Sequence, residues 1–140
     1  MAIIVGILIN VPVAPVNAAT TNYSSAIPGV VVIPIQLPGQ HTADVTAIVK
    51  FKMPFACNIV GVSANARASG GTSPTLTVDL LDDGTSALSA PISLTAGTVS
   101  EGTVTNATVV DESVMTIDFV ITGSTPTWDD VTVFITVIRT

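Results

Sequence analysis

One cysteine, one histidine, one tryptophan and one tyrosine occur in 140 residues, and only four residues are basic. A lone Cys57 excludes an internal disulfide framework and a multi-cysteine zinc site. Lys50, Lys52, Arg67 and Arg139 face ten acids, for a net charge of −6. That balance lacks the clustered cations that binding to nucleic acid requires. A serine triad would have only His41 as its imidazole, and no serine sits in a G-x-S-x-G elbow. The glycine loops G-x-x-x-x-G-K and G-x-G-x-x-G are missing, as is H-E-x-x-H. Charged residues make up 10% of the chain and hydrophobic ones 48%; an ordinary soluble domain carries about a quarter charged residues. A surface so poor in charge is expected to be covered by a partner.

The scarcity is uneven. No Asp, Glu, Lys or Arg occurs from Met1 to Ala43, and all fourteen charged residues lie from Asp44 onward. Five of the nine prolines (Pro12, Pro15, Pro28, Pro34, Pro38) fall in this first segment, and their spacing prevents a continuous helix. A secretory leader cut after Ala18 would lack the basic start such leaders carry. A membrane span would be interrupted by Asn10, Pro12 and Pro15 and has no basic flank. The remaining account is an extended N-terminal arm over residues 1–40. Within it AIIVGILI (2–9) and GVVVIPIQL (29–37) read as strands without a sheet of their own, and Pro34 confines the second to an edge or a bulge. A neutral apolar strand in water invites aggregation, so the arm is expected to dock on another polypeptide. Ile3, Val5, Ile7, Ile9, Val30, Val32, Ile33 and Ile35 are its candidate partner-binding side chains. The alternative is that part of the arm adds strands to its own sandwich.

What is abundant is Val, Thr, Ile, Ala and Ser, a composition suited to pleated strands. Residues 41–140 alternate in short segments with turn signals every 8–14 residues. The pattern predicts an all-β, antiparallel β-sandwich domain, jelly-roll or Ig-like, of about seven or eight strands. Seven segments carry it: 43–53, 58–68, 75–81, 86–94, 102–110, 113–122 and 131–139. Alternation places Val45, Ala47, Val49 and Phe51 inward, then Val60, Val62, Ala64 and Ala66. The later inward rows are Leu76, Val78 and Leu80; Met115, Ile117, Phe119 and Ile121; and Val131, Val133, Ile135 and Val137. SGGTSP reads as a loop. The Gly/Ser/Thr/Pro stretch in GGTSPTLTV (70–78) echoes that in GSTPTWDDVTV (123–133), as one turn chemistry used twice.

Three acids crowd TLTVDLLDDGTSALSA (75–90). Asp79 falls on the outward parity of its strand, and Asp82-Asp83-Gly84 sits where alternation breaks. Asp-Gly between two alternating runs is a hairpin signal, because glycine supplies the positive φ of the turn. The spacing lacks the D-x-D-x-D-G order of a calcium loop, and neither a metal nor a cofactor is expected. His41 and Cys57 are the one conceivable base and nucleophile, but a cysteine at the start of an apolar strand is more often inert. TPTWDD (125–130) is the ligand-like stretch. Trp128 beside Asp129 and Asp130 could stack on a sugar ring and bond its hydroxyls; otherwise Trp128 plugs the sandwich or meets another subunit.

The string FKMPFACNIVGVSANARASGGTSPTLTVDLLDDGTSALSAPISL (51–94) resembles the small β-sandwich virion proteins of tailed bacteriophages, of the head decoration or cement type. The resembling features are F-K-x-P-F-A (51–56), V-G-V-S-A-x-A-R-A (60–68), G-T-S-P-T-L-T-V-D (71–79), D-G-T-S (83–86) and S-A-P-I-S-L (89–94). E-G-T-V (101–104) and V-T-V (131–133) complete them. The likeness covers roughly residues 45–140 and leaves the arm out. It implies a structural part of the capsid surface, made in the host cytoplasm, that is not an enzyme. Its partners would be the major capsid protein and itself, as a homotrimer or a dimer, with neither nucleic acid nor membrane. Similar domains in tail fibres and appendages keep a carbohydrate- or receptor-binding module as the alternative.

Overall fold

The computed structural model describes residues 29–140. Among these residues there is no helix, and the strands run antiparallel. The organising element is a ribbon of two 26-residue strands, β3 (Cys57–Asp82) and β8 (Val114–Arg139). They pair antiparallel along their length, from Cys57 opposite Arg139 to Asp82 opposite Met115. Around the ribbon lie β1 (Val30–His41), β2 (Val45–Lys52), β4 (Thr85–Ser86), β5 (Ile92–Ser93), β6 (Ser100–Gly102) and β7 (Thr108–Val109).

The ribbon bends in its middle, where the register slips at Gly70/Thr72 and Thr72/Thr75. Gly71 (φ +97°) and Gly123 (φ +128°) take backbone conformations closed to most side chains. Ser73 and Thr125 also have positive φ there. The two segments noticed as an echo are therefore partners: Gly70 stands opposite Thr127 and Thr72 opposite Ser124. Both strands bend at one place and use the same small-residue chemistry to do so. SGGTSP is accordingly not a loop between strands but the bulged middle of one strand.

Folding this ribbon makes two half-sheets, each four strand positions wide. In one, the first half of β3 pairs with the second half of β8, with β6 and β7 beyond β3 and β1 beyond β8. In the other, the second half of β3 pairs with the first half of β8, with β4 and β5 on one side and β2 on the other. This is the strand order of a jelly roll. One core lies between the halves and takes the inward rows of both: Leu76, Val78, Leu80, Ile117 and Phe119 from one, Ile59, Val62, Val131, Val133, Ile135 and Val137 from the other. Each such side chain contributes about 1.5–3 kcal/mol by leaving water. The sandwich closes tightly at its edge. A Cβ added to Gly102 on β6 would stand 2.9 Å from Ile92 Cγ1 on β5, so a larger residue there would have to displace the Ile92 and Leu88 side chains.

Three expectations need correction. Val60 does not face the core: it is 52% exposed, and Ile59 is buried in its stead. A bulge between Ile59 and Gly61 shifts the alternation by one residue. Ala47 (φ 52°) lies in the irregular part of β2 between Val45 and Val49 and is exposed, as is Val45 at the end of that strand. The boundary between arm and sandwich expected at residue 40 is displaced, since β1 (Val30–His41) pairs with β8 as a strand of the domain. Ile33 and Ile35 pack on the chain's own core, whereas Val30 and Val32 point outward at 55% and 53% exposure. Ile3, Val5, Ile7 and Ile9 lie outside the described residues.

Candidate functional site

The acids that could have formed a reactive centre are spent on the fold. Asp83 (φ 47°) and Gly84 (φ 85°) are the two central residues of the hairpin joining β3 to β4, flanked by the pairs Asp82–Thr85 and Leu81–Ser86. Positive φ at both positions is the type I′ geometry that an Asp-Gly turn favours. The Asp83 carboxylate accepts the Val114 N–H at 3.0 Å and lies 3.0 Å from the Ser113 hydroxyl. Ser113 also bonds Asp82, and is itself buried. Asp79 accepts the Ser86 hydroxyl at 2.7 Å. Asp118 accepts the Ala47 N–H and Asp44 the Ile121 N–H, each at 2.7 Å. The first bond bridges the register slip of β2, and the second ties the residue before β2 to β8. Among the described residues no group of three His, Cys, Asp or Glu side chains is placed to hold a metal ion.

The TPTWDD stretch is used in the same way. Trp128 is 2% exposed, so its ring offers no face to a sugar. Asp130 accepts the Arg67 Nε–H at 2.6 Å and the Gly39 N–H at 2.8 Å. Asp129 accepts the Gln40 amide at 3.3 Å and lies 3.9 Å from the Arg67 guanidinium. The two acids thus clamp the end of β1 and the middle of β3 to β8. Arg67 is invisible from TPTWDD in sequence, 63 residues away, yet it is the cross-strand neighbour of Asp130 between the pairs Ala66–Val131 and Ala68–Asp129. The structure therefore overturns the exposed ligand platform and favours the plug. A shallow pocket of about 190 Å³ lies beside the clamp, lined by Gln36, Leu37 and Pro38 of β1 and by Asp130, Val131 and Thr132 of β8.

His41 and Cys57 go to different places. The His41 ring packs edge-on against Phe119, centroids 5.4 Å apart, with Nε2 3.1 Å from the Leu37 carbonyl oxygen. Cys57 is fully buried. Burial, and then the nearby Asp82 charge, push its thiol above the usual cysteine range, away from the reactive thiolate.

Hydrogen bonds hold two carboxyl groups below the usual carboxylate range. Asp83 is lowered by the Val114 N–H and then by the Ser113 hydroxyl. Asp130 is lowered by the Gly39 N–H and then by Arg67. A carboxylate depressed in the folded state stabilises the fold above its unfolded pKa, near about 3.9. That contribution disappears as pH falls through the lower folded value. Unfolding midpoints in urea are therefore expected to be flat from neutral pH to about pH 5 and to decline below about pH 4. Asp83→Asn should flatten part of that acid decline, and an unchanged profile would show that the turn carboxylate makes no difference.

What remains unused is a surface. Outward positions of the second half of β8 are Thr132, Phe134, Thr136 and Ile138. Their neighbours on β3 are Asn65, Ser63, the bulge at Val60 and Gly61, and Asn58. The Gly39–Asp130 bond anchors one end of β1 beside β8, and Val32 of β1 stands outward at 53% exposure. This patch carries no charge until Arg67 and Asp130 at one end and Glu101, opposite Ser63, at the edge. The outward face of the other half-sheet carries Lys50, Lys52, Asp79 and Asp118. Further apolar side chains stand out at Val99 and Val110, 58% and 61% exposed.

No family model matches the chain, and no curated protein does. Among solved structures, one similar chain comes from the structure of infectious bursal disease virus, Gx strain, at 15% identity and a TM-score of 0.39. The similarity covers 77% of this chain and 32% of that one, so this chain spans about a third of its length.

Proposed function

We propose that the chain is a structural virion protein of the capsid decoration or cement type. In this reading it binds the outside of a phage head and bridges neighbouring major capsid protein subunits, without catalysing a reaction. One observation carries the proposal: the acids of the two ligand-like stretches are tied up in the fold, while a sheet face poor in charge and several exposed valines are left over. A protein that fastens other proteins needs that distribution, because apolar contact gives about 25 cal/mol per Å² and a reactive centre adds nothing. The charge-free sequence from Met1 to Ala43 agrees with it. An uncharged leading segment can be laid against a shell without desolvating ions.

The test uses heads assembled without this protein. Adding the full chain should saturate a fixed number of sites per head and raise the temperature at which heads break. A variant lacking residues 1–28 keeps β1 intact, since that strand begins at Val30. It should retain the melting transition of the sandwich yet lose about tenfold or more in affinity for heads. Heads that neither take up the full chain nor gain stability from it would end the proposal.

A further inference from the structure

The half-sheets end in edge strands, and most of these edges offer little to an incoming strand. On one flank β4, β5, β6 and β7 are two or three residues long, too short to template a partner. On the other flank β2 pairs only with β8. Its outer edge is interrupted where Ala47 (φ 52°) turns its N–H back to the Asp118 carboxylate of β8. Lys50 and Lys52 stand exposed along the rest of it. β1 differs from all of these. It has 12 residues, none of them Asp, Glu, Lys or Arg, and Val30 and Val32 project from it. It is hydrogen-bonded to β8 on one side, and among the described residues no strand pairs along its other side. A long neutral edge of this kind is an aggregation hazard unless something closes it.

Two prolines stand on that edge. Backbone groups of a strand alternate sides with period two. Val30, Val32, Pro34, Gln36 and Pro38 therefore address one side, and Val31, Ile33, Ile35, Leu37 and Gly39 the other. The Gly39 N–H reaches the Asp130 carboxylate of β8, which gives the odd-numbered set to the β8 ladder and the even-numbered set to the outer edge. The prolines obey the same assignment, because a proline inside an edge strand turns its missing N–H to the solvent side. An incoming strand would find donors at Val30, Val32 and Gln36 and none at Pro34 or Pro38. At each proline the ring stands where the incoming carbonyl needs an N–H, so that oxygen would lose water and gain no partner. Only a pairing confined to Val30–Ile33 or to Ile35–Leu37 avoids both rings.

We propose that Pro34 and Pro38 are guards that close the outer edge of β1 to strand addition by a second copy of this chain. The inward row of β1 is committed to the core through Ile33, Ile35 and Leu37, and proline closes the edge without placing a charge beside it. The sandwich consequently meets other proteins through the side chains of its faces and loops rather than by backbone pairing. Copies crowded side by side on a shell, as the proposed function requires, are thereby kept from fusing through their edges.

Pro34→Val combined with Pro38→Val in the full chain restores both donors, and valine suits an extended backbone. Sedimentation velocity over a dilution series should show this variant associating at concentrations about tenfold or more below those of the wild type. Pro54→Val combined with Pro91→Val adds the same side chains outside any strand and should sediment as the wild type does. Amide hydrogen exchange locates the contact. In the wild type Ile33, Ile35 and Leu37 should be protected, while Val32 and Gln36 exchange freely. In the opened variant Val32 and Gln36 should gain protection as concentration rises. Urea unfolding establishes that the variant is folded; if it is not, the two single substitutions and the wild-type exchange pattern decide. The guards are refuted if the opened variant associates no more readily than the wild type, or does so without protecting Val32 and Gln36. They are refuted equally if those two amides are already protected in the wild type. None of these measurements uses heads, so their failure is distinct from a failure of head binding.

Discussion

Trp128→Ala is expected to lower the unfolding free energy by about 3–5 kcal/mol, the range for removing a buried aromatic ring. For a domain of this size that lowers the melting temperature by about 15–25 °C. Trp128 is the largest fully buried side chain and sits at 2% exposure, next to the bend of the ribbon and opposite Ser69. Its indole N–H finds no acceptor among the described residues. Trp128→Phe therefore gives up ring volume but no hydrogen bond, and should cost only about 1 kcal/mol. Urea unfolding of the two variants measures both figures. The sugar-platform reading of TPTWDD expects the reverse pattern, a stable Trp128→Ala protein that no longer binds glycans. A loss under about 1 kcal/mol would revive that reading.

Trp128 also shows what a linear chain can and cannot reveal. Alternation marked the inward rows of β8 correctly, from Met115 to Ile121 and again from Val131 to Val137. Period-two patterning is a local property, and every one of those side chains is buried because of its parity alone. The same logic failed at Val60, where one extra residue in a bulge reverses the parity, and composition gives no warning of it. It failed differently at residues 69–74. Gly, Ser, Thr and Pro there signalled a break, but β8 carries the same chemistry opposite, and two matching irregularities make a bend in a continuous ladder. The echo between the two stretches was the available clue, and it needed a pairing partner to be understood. Asp129 and Asp130 looked free because Arg67, which pairs with Asp130 and approaches Asp129, is distant in sequence and adjacent only in register.

Pro34 illustrates a third kind of legibility. Its lack of an N–H correctly confined GVVVIPIQL to an edge position. Whose edge it joins is a tertiary matter, settled by Val31, Ile33, Ile35 and Leu37 packing on the core of their own chain. The outward residues of that strand, Val30 and Val32, are what the domain offers to others. The functional reading thus shifts part of its weight from the leading segment to a sheet face. Neutral outward positions are hard to weigh from sequence, since a strand alternates in the same way whether its second face meets water or a partner.

Gly71→Ala carries the other large effect. Gly71 has φ +97°, a conformation that costs an L-residue about 1–3 kcal/mol. A Cβ there would also fall on the Thr125 carbonyl oxygen and stand 2.8 Å from that of Ser124. Those oxygens belong to the backbone of the paired strand and cannot swing away as a side chain could. The strands would have to separate at the bend, so we expect a total loss of about 3–5 kcal/mol. Gly84→Ala supplies the comparison. Gly84 has φ +85° in the β3–β4 turn, but nothing lies within 4 Å of its added Cβ. It should cost only the conformational part, about 1–2 kcal/mol. The difference between the two variants, read from urea midpoints at equal m-value, isolates the close approach of β3 and β8. If Gly71→Ala proves no more harmful than Gly84→Ala, the two strands do not cross that closely. The sandwich would then be built from separate hairpins joined by loops, and the neutral face, which depends on β3 and β8 staying in register through the bend, would lose its geometric basis.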